Sequence, residues 1–84
     1  MNESTIFKKL SDYFSPTHLE VINESHKHIG HSQSPNSGNS HFLIIITSDK
    51  LQGMSRLAGQ RMIYKLLEKE MRNQIHALQI KIVY

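Results

Sequence analysis

The sequence predicts a small mixed α/β (α+β) domain whose elements run helix, strand, strand, helix, strand. Three observations predict it. Phe42 to Ile46 is an unbroken apolar run of strand length. Arg56 to Arg72 carries apolar residues at helical spacing. Ala77 to Tyr84 alternates apolar and polar residues. At 84 residues the chain is long enough for one domain, residues 1–84, with one small core.

The first helix is expected over Thr5 to Phe14. Ile6, Leu10 and Phe14 recur at i, i+4 and i+8, one face of a helix. Ser4 or Thr5 can cap its start, and Pro16 stops it, because the residue before a proline avoids the helical region. Leu19 to Asn23 reads as a strand, with Leu19, Val21 and Asn23 on one face and Glu20 and Ile22 on the other. Gly30 to Ser40 holds no large apolar residue and is rich in Ser, Asn and Gly, the composition of a flexible loop. His41 to Ser48 is the second strand. Its apolar run suggests burial on both faces, as in a central strand.

A short extra helical turn is expected around Gly53 to Leu57, then the main helix over Arg56 to Arg72. Met62, Ile63, Leu66, Leu67 and Met71 form its apolar stripe, and Gly59 lies on the same side, where it allows close backbone approach. Glu70 also falls on that side, and the stripe offers no account of it. Glu68 and Arg72 make a favourable i, i+4 pair. Asn73 to His76 is a connector. In the last strand Leu78, Ile80 and Ile82 face one way and Gln79, Lys81 and Val83 the other. The crossover through the long helix lets the third strand lie parallel to the second, with right-handed connection. The expected architecture is α-β-β-α-(α)-β, a three-stranded mixed sheet with helices on one face.

Composition narrows the function classes. The chain has no cysteine, so no disulfide staples it, and it folds on packing alone or with help from a partner. No run of about 18 apolar residues crosses a bilayer, and Met1 to Leu10 has no secretory h-region. A cytoplasmic protein without membrane contact is the expectation. The formal net charge of +3 permits nucleic acid or an acidic partner without demanding either. Six histidines are many for this length, and four of them fall between His26 and His41.

Five ordered segments carry a family resemblance: LEVINESHKH from Leu19, SHFLIIITSD from Ser40, LQGMS from Leu51, QRMIYKLLEKEM from Gln60 and IHAL from Ile75. In this order they resemble the BolA family. The resemblance implies a fold like the type II KH domain. It also implies a partnership with monothiol glutaredoxins in which a bridging [2Fe-2S] cluster is shared, and in some members transcription regulation. Two departures stand out. The family's arginine–histidine–arginine run before the helix methionine is here Gly59-Gln60-Arg61, and the sequence runs to Tyr84 without the longer tail of many members.

The resemblance assigns candidate ligands by position in the motif. His76, in Ile75-His76-Ala77-Leu78, matches the ligand at the entry to the last strand, and His28 matches the loop ligand, with His26 and His31 near enough to stand in for it. The chemistry is coherent. Histidine replaces two of a cluster's thiolates in Rieske centres. A chain without cysteine binds no such cluster alone, but it can donate imidazole to one whose thiolates come from a glutaredoxin and glutathione. A separate reading is divalent metal-binding: an extended His26-x-His28 pair with His31 chelates zinc, copper or nickel. His18 and His41 read as structural or solvated.

The alternative reading is DNA-binding. On one continuous helix Arg61, Lys65, Lys69 and Arg72 fall within about 80° of one another, a basic stripe opposite the apolar one, suited to a partner surface or to duplex phosphates. KH-type RNA binding is not implied, because no two glycines stand three apart as the Gly-x-x-Gly loop requires. Nor does anything suggest an enzyme: there is no cysteine nucleophile, glycine-rich phosphate loop or carboxylate pair with readable spacing. A weak homodimer through an exposed sheet edge is a third reading.

Overall fold

The structure, a computed structural model, describes residues 3–24, 41–73 and 77–84. The expected loop from Gly30 to Ser40 and most of the connector to His76 lie outside the described residues. Helix α1 spans Glu3–Phe14 and buries Ile6, Leu10 and Phe14, the stripe read from the sequence. It begins two residues before Thr5, so Ser4 and Thr5 sit inside its first turn and neither caps it. It ends at Ser15, which takes the left-handed backbone (φ 43) ahead of Pro16 while its N–H still bonds to Ser11 O at 3.0 Å.

Strands β1 (His18–Asn23), β2 (His41–Thr47) and β3 (Ala77–Ile82) form one sheet in the order β1-β2-β3. β1 runs antiparallel to β2 and β3 parallel to it, the mixed topology expected of a hairpin followed by a helical crossover. The register aligns Leu19 with Ile46, Val21 with Ile44, Phe42 with Leu78 and Ile46 with Ile82, so one face gathers every core residue of the sheet. Ile6, Leu10, Phe14, Ile63 and Leu67 of the helices close over that face in a single apolar cluster.

β2 corrects one expectation. Phe42, Ile44 and Ile46 are fully buried, but Leu43, Ile45 and Thr47 on the other face are only half-buried. Both faces of a central strand are buried only when layers cover both. Here the described helices pack on one face, and Leu43 and Ile45 lie on the other.

After β2 a 3-10 turn spans Asp49–Leu51, earlier than the turn expected at Gly53 to Leu57. Ser48 decides its place: its hydroxyl accepts from Lys50 N–H at 3.2 Å and donates to Phe14 O at 2.6 Å. Gly53 follows in the left-handed region (φ 81), a conformation that suits glycine. Helix α2 then runs Arg56–Leu66, capped by the Ser55 hydroxyl, which accepts from Ala58 N–H at 3.1 Å.

The single long helix expected to Arg72 is broken. Leu67 leaves helical geometry (φ −98, ψ 19), and a shorter helix α3 spans Glu68–Asn73. Neither proline nor glycine stands there. Leu67 stays fully buried in the core while Glu70, three residues on, meets Lys9 of α1 at 2.8 and 2.9 Å. That ion pair is the account of Glu70 that the apolar stripe lacked. Gly59 behaves as expected: a Cβ there would lie 2.6 Å from Ile82 Cδ1 and 3.3 Å from Leu51 Cδ2.

One contact set ties α2 to the sheet. Arg56 Nη1 donates to Ile82 O at 3.3 Å, Gln60 Nε2 to Ile80 O at 3.3 Å and Tyr64 Oη to Leu78 O at 2.8 Å. The donors stand four residues apart on one helix side. The acceptors are alternate carbonyls of β3 that point away from β2, whose own bond to this region is Val83 N–H to Ile46 O at 2.9 Å. Among the described residues no helix is long and apolar enough to cross a membrane.

Candidate functional site

Three strand ends meet in one row of the sheet. Glu24, just past β1, donates its N–H to His41 O at 2.8 Å, and His41 pairs with Ala77. The segment bearing His26, His28 and His31 leaves the described residues at Glu24 and re-enters at His41. The segment bearing His76 re-enters at Ala77. The four candidate ligands themselves lie outside the described residues. What the fold fixes is their attachment: both histidine-bearing segments join the same end of the sheet, and His76 is covalently next to a strand residue, about 3.8 Å away by Cα.

Of the two described histidines, His41 lies in this row and His18 lies away from it. His18 is exposed at the far end of β1, its Nε2 2.7 Å from Glu20 Oε2. His41 is half-buried at the start of β2. Among the described residues no three His, Cys, Asp or Glu side chains come together as a metal site, and there is no cysteine. With no cysteine in the sequence, this chain supplies no thiolate ligand.

Arg61, Lys65, Lys69 and Arg72 are all exposed. The break at Leu67 divides them, Arg61 and Lys65 on α2 and Lys69 and Arg72 on α3, so the one-helix projection holds only for the first two. Arg72 is held by Glu68 at 3.0 Å. Arg61, Lys65 and Lys69 have no carboxylate partner among the described residues. Lys65 also borders a groove of about 380 Å³ between α1 and α2, lined by Tyr13, Met62, Lys65 and Leu66. Sequence reasoning passed over this groove. Tyr13 lies beside the apolar stripe of α1 yet is 45% exposed, with Lys50 Nζ 4.6 Å from its ring centre, and neither fact is legible in the sequence. Phe7 is exposed too and Phe14 is buried, so the aromatics of α1 form no common stacking platform.

A model of BolA-like proteins matches residues 10–83. The chain belongs to the BolA family. It is 40% identical over 95% of its length to the DNA-binding transcriptional regulator BolA of Vibrio cholerae, spanning 72% of that protein. It is 38% identical over 89% of its length to SufE-like protein 1, chloroplastic/mitochondrial, of Arabidopsis thaliana, where the match spans 21%. Among solved structures, BolA1 from Arabidopsis thaliana superposes with a TM-score of 0.86 at 28% identity, over 98% of this chain and 89% of that one. The BolA domain of SufE1 from the same plant superposes with a TM-score of 0.85 at 38% identity, over 95% and 87%. The BolA fold is thus shared by BolA1 and by a domain of SufE1, and this BolA-family chain matches both.

Proposed function

We propose that this BolA-family protein is a non-catalytic adaptor in iron–sulfur cluster assembly or trafficking, sharing a [2Fe-2S] cluster with a monothiol glutaredoxin. The observation that carries the reading is the convergence of the two histidine-bearing segments on the row Glu24, His41, Ala77, in a chain that has imidazoles and no thiols. His76 is the fixed ligand, because it adjoins a strand. His28 is the loop ligand, with His26 and His31 as alternatives. The glutaredoxin and glutathione supply the thiolates, and the bound cluster supplies redox and transfer chemistry. This chain's part is to bring imidazoles to it and to cover it from one side.

The test is reconstitution with a monothiol glutaredoxin, glutathione, iron and sulfide under anaerobic conditions, read by visible absorption and circular dichroism of the isolated complex. A heterodimer spectrum distinct from the glutaredoxin homodimer, reverting with His76→Ala, is expected. No complex, or a spectrum unaffected by this protein, rejects the reading.

A second reading, DNA-binding transcription regulation, is favoured by the exposed Arg61 and Lys65, one turn apart on α2 and without a carboxylate partner among the described residues, and by the name of the Vibrio cholerae relative. Two like charges at i, i+4 disfavour the isolated helix, so their pairing suits an anionic partner. Salt-dependent binding to a duplex should fall in the Arg61→Ala, Lys65→Ala double variant, with a shallower salt slope. Equal binding by both proteins removes α2 from that account.

A further inference from the structure

The two faces of the sheet differ. One lies under α1 and α2. The other has no element packed on it among the described residues, and it carries an ordered set of side chains. The register places Glu20, Ile45 and Lys81 in one row across β1, β2 and β3, and Ile22, Leu43 and Gln79 in the next. Ile22 is 36% exposed and Val83, just past β3, is 43% exposed. Lys81 is exposed and makes no ion pair among the described residues. Glu20 gives one carboxylate oxygen to His18, and the other has no partner among the described residues.

The charges are arranged by symmetry. Glu20 and Lys81 flank Ile45 at equal height, one on each edge strand, two strand spacings or about 9.6 Å apart. A two-fold axis laid along β2, above this face, exchanges the two edges. It sets Ile45 against Ile45, Leu43 against Leu43, and Glu20 against Lys81 twice. We propose that this open face is a homodimer face, with a second copy of the chain packed sheet to sheet about that axis. Sheets pack about 10 Å apart with strands nearly aligned, a gap that a glutamate and a lysine bridge together.

A second copy is the occupant that the charge pattern fits. A face with one acidic and one basic edge complements itself under this axis, as an isologous interface must. A partner of single sign would satisfy one edge and be repelled by the other. The edge of β3 is a poorer route to a dimer, because the outward carbonyls of Leu78, Ile80 and Ile82 already accept from α2. Three short strands offer an interface on the order of 1,000 Å² in total, the low end for a specific pair, so the dimer is weak and salt-sensitive. The inference does not rest on the cluster-sharing reading and leaves Arg61 and Lys65 uncovered.

The experiment is sedimentation velocity on the purified protein from about 10 μM to about 1 mM. Wild type should shift from monomer towards dimer with concentration, less so at high salt. Glu20→Lys and Lys81→Glu, both at exposed positions, should each weaken the dimer by about tenfold or more with unchanged far-ultraviolet circular dichroism. An equimolar mixture of the two variants should regain the dimer, because every facing pair is again opposite in charge. A wild type monomeric across the range, single variants that dimerise like wild type, or a mixture that fails to recover each overturns the proposal. A monomeric wild type whose glutaredoxin complex is lost with Lys81→Glu also overturns it, and assigns the face to that partner.

Discussion

Ser48 is a buried polar side chain at 1% exposure, and one of the two bonds of its hydroxyl reaches a part distant in sequence. It donates to Phe14 O, 34 residues away, and accepts from Lys50 N–H, so it fastens the end of α1 to the turn after β2. Ser48→Ala leaves a buried carbonyl without its donor, and the expected loss is about 1–3 kcal/mol, read as a lower urea midpoint at constant slope. Gly59 makes a complementary case. An alanine there gains about 1 kcal/mol of helix propensity, which offsets the shift it forces on the end of Ile82. Gly59→Ala should therefore be near neutral. Gly59→Val adds bulk that Leu51 and Ile82 have no room for, and should cost about 2 kcal/mol or more. Equal stability of the two variants would mean that the close approach is not what selects glycine.

Between elements, the magnitudes sort the ion pairs. Lys8–Asp12 and Glu68–Arg72 join side chains more than 60% exposed, and contribute little. Lys9–Glu70 joins α1 to α3, with the Glu70 side chain only 12% exposed and both its oxygens engaged. Lys9→Ala should cost about 1–2 kcal/mol, against almost nothing for Lys8→Ala, with the difference read in parallel urea titrations. The Arg56, Gln60 and Tyr64 ladder is a second link, and it protects the β3 edge as well as holding it. Tyr64→Phe removes the shortest of the three bonds and should cost about 1 kcal/mol. An unchanged midpoint would show that water replaces the tyrosine hydroxyl at no loss. Legibility also differs between elements. The α1 stripe, the alternation of β3 and the Glu68–Arg72 pair are local, and local spacing reveals them. The break at Leu67 has no local signal: Leu67 continues the apolar stripe and stays fully buried in the core. Glu70 was opaque for the same reason, since Lys9 lies 61 residues away.

At the scale of the whole molecule, one small core of Ile6, Leu10, Phe14 and their sheet partners leaves a sheet end, an open sheet face and a basic helix side for other work. Element order and the parallel crossover were readable because the helices and β3 show their own periods and β2 is an apolar run of strand length. The half-open sheet was not, because an apolar run like Phe42 to Ile46 reads the same whether one layer covers it or two. The candidate ligands were legible only through their place in a family motif. Spacing alone leaves His26, His28 and His31 equivalent, and the described residues add the common row at which their segments attach. The measurement that tests the central claim most directly is pulsed electron paramagnetic resonance on the reduced cluster of the glutaredoxin complex, with this chain alone labelled with ¹⁵N-histidine. The account predicts strong ¹⁵N hyperfine coupling from directly bound imidazole, with the His76 contribution lost in His76→Ala while that of the loop histidine remains and the complex still forms. A reduced cluster in the wild-type complex with no strong ¹⁵N coupling would contradict it.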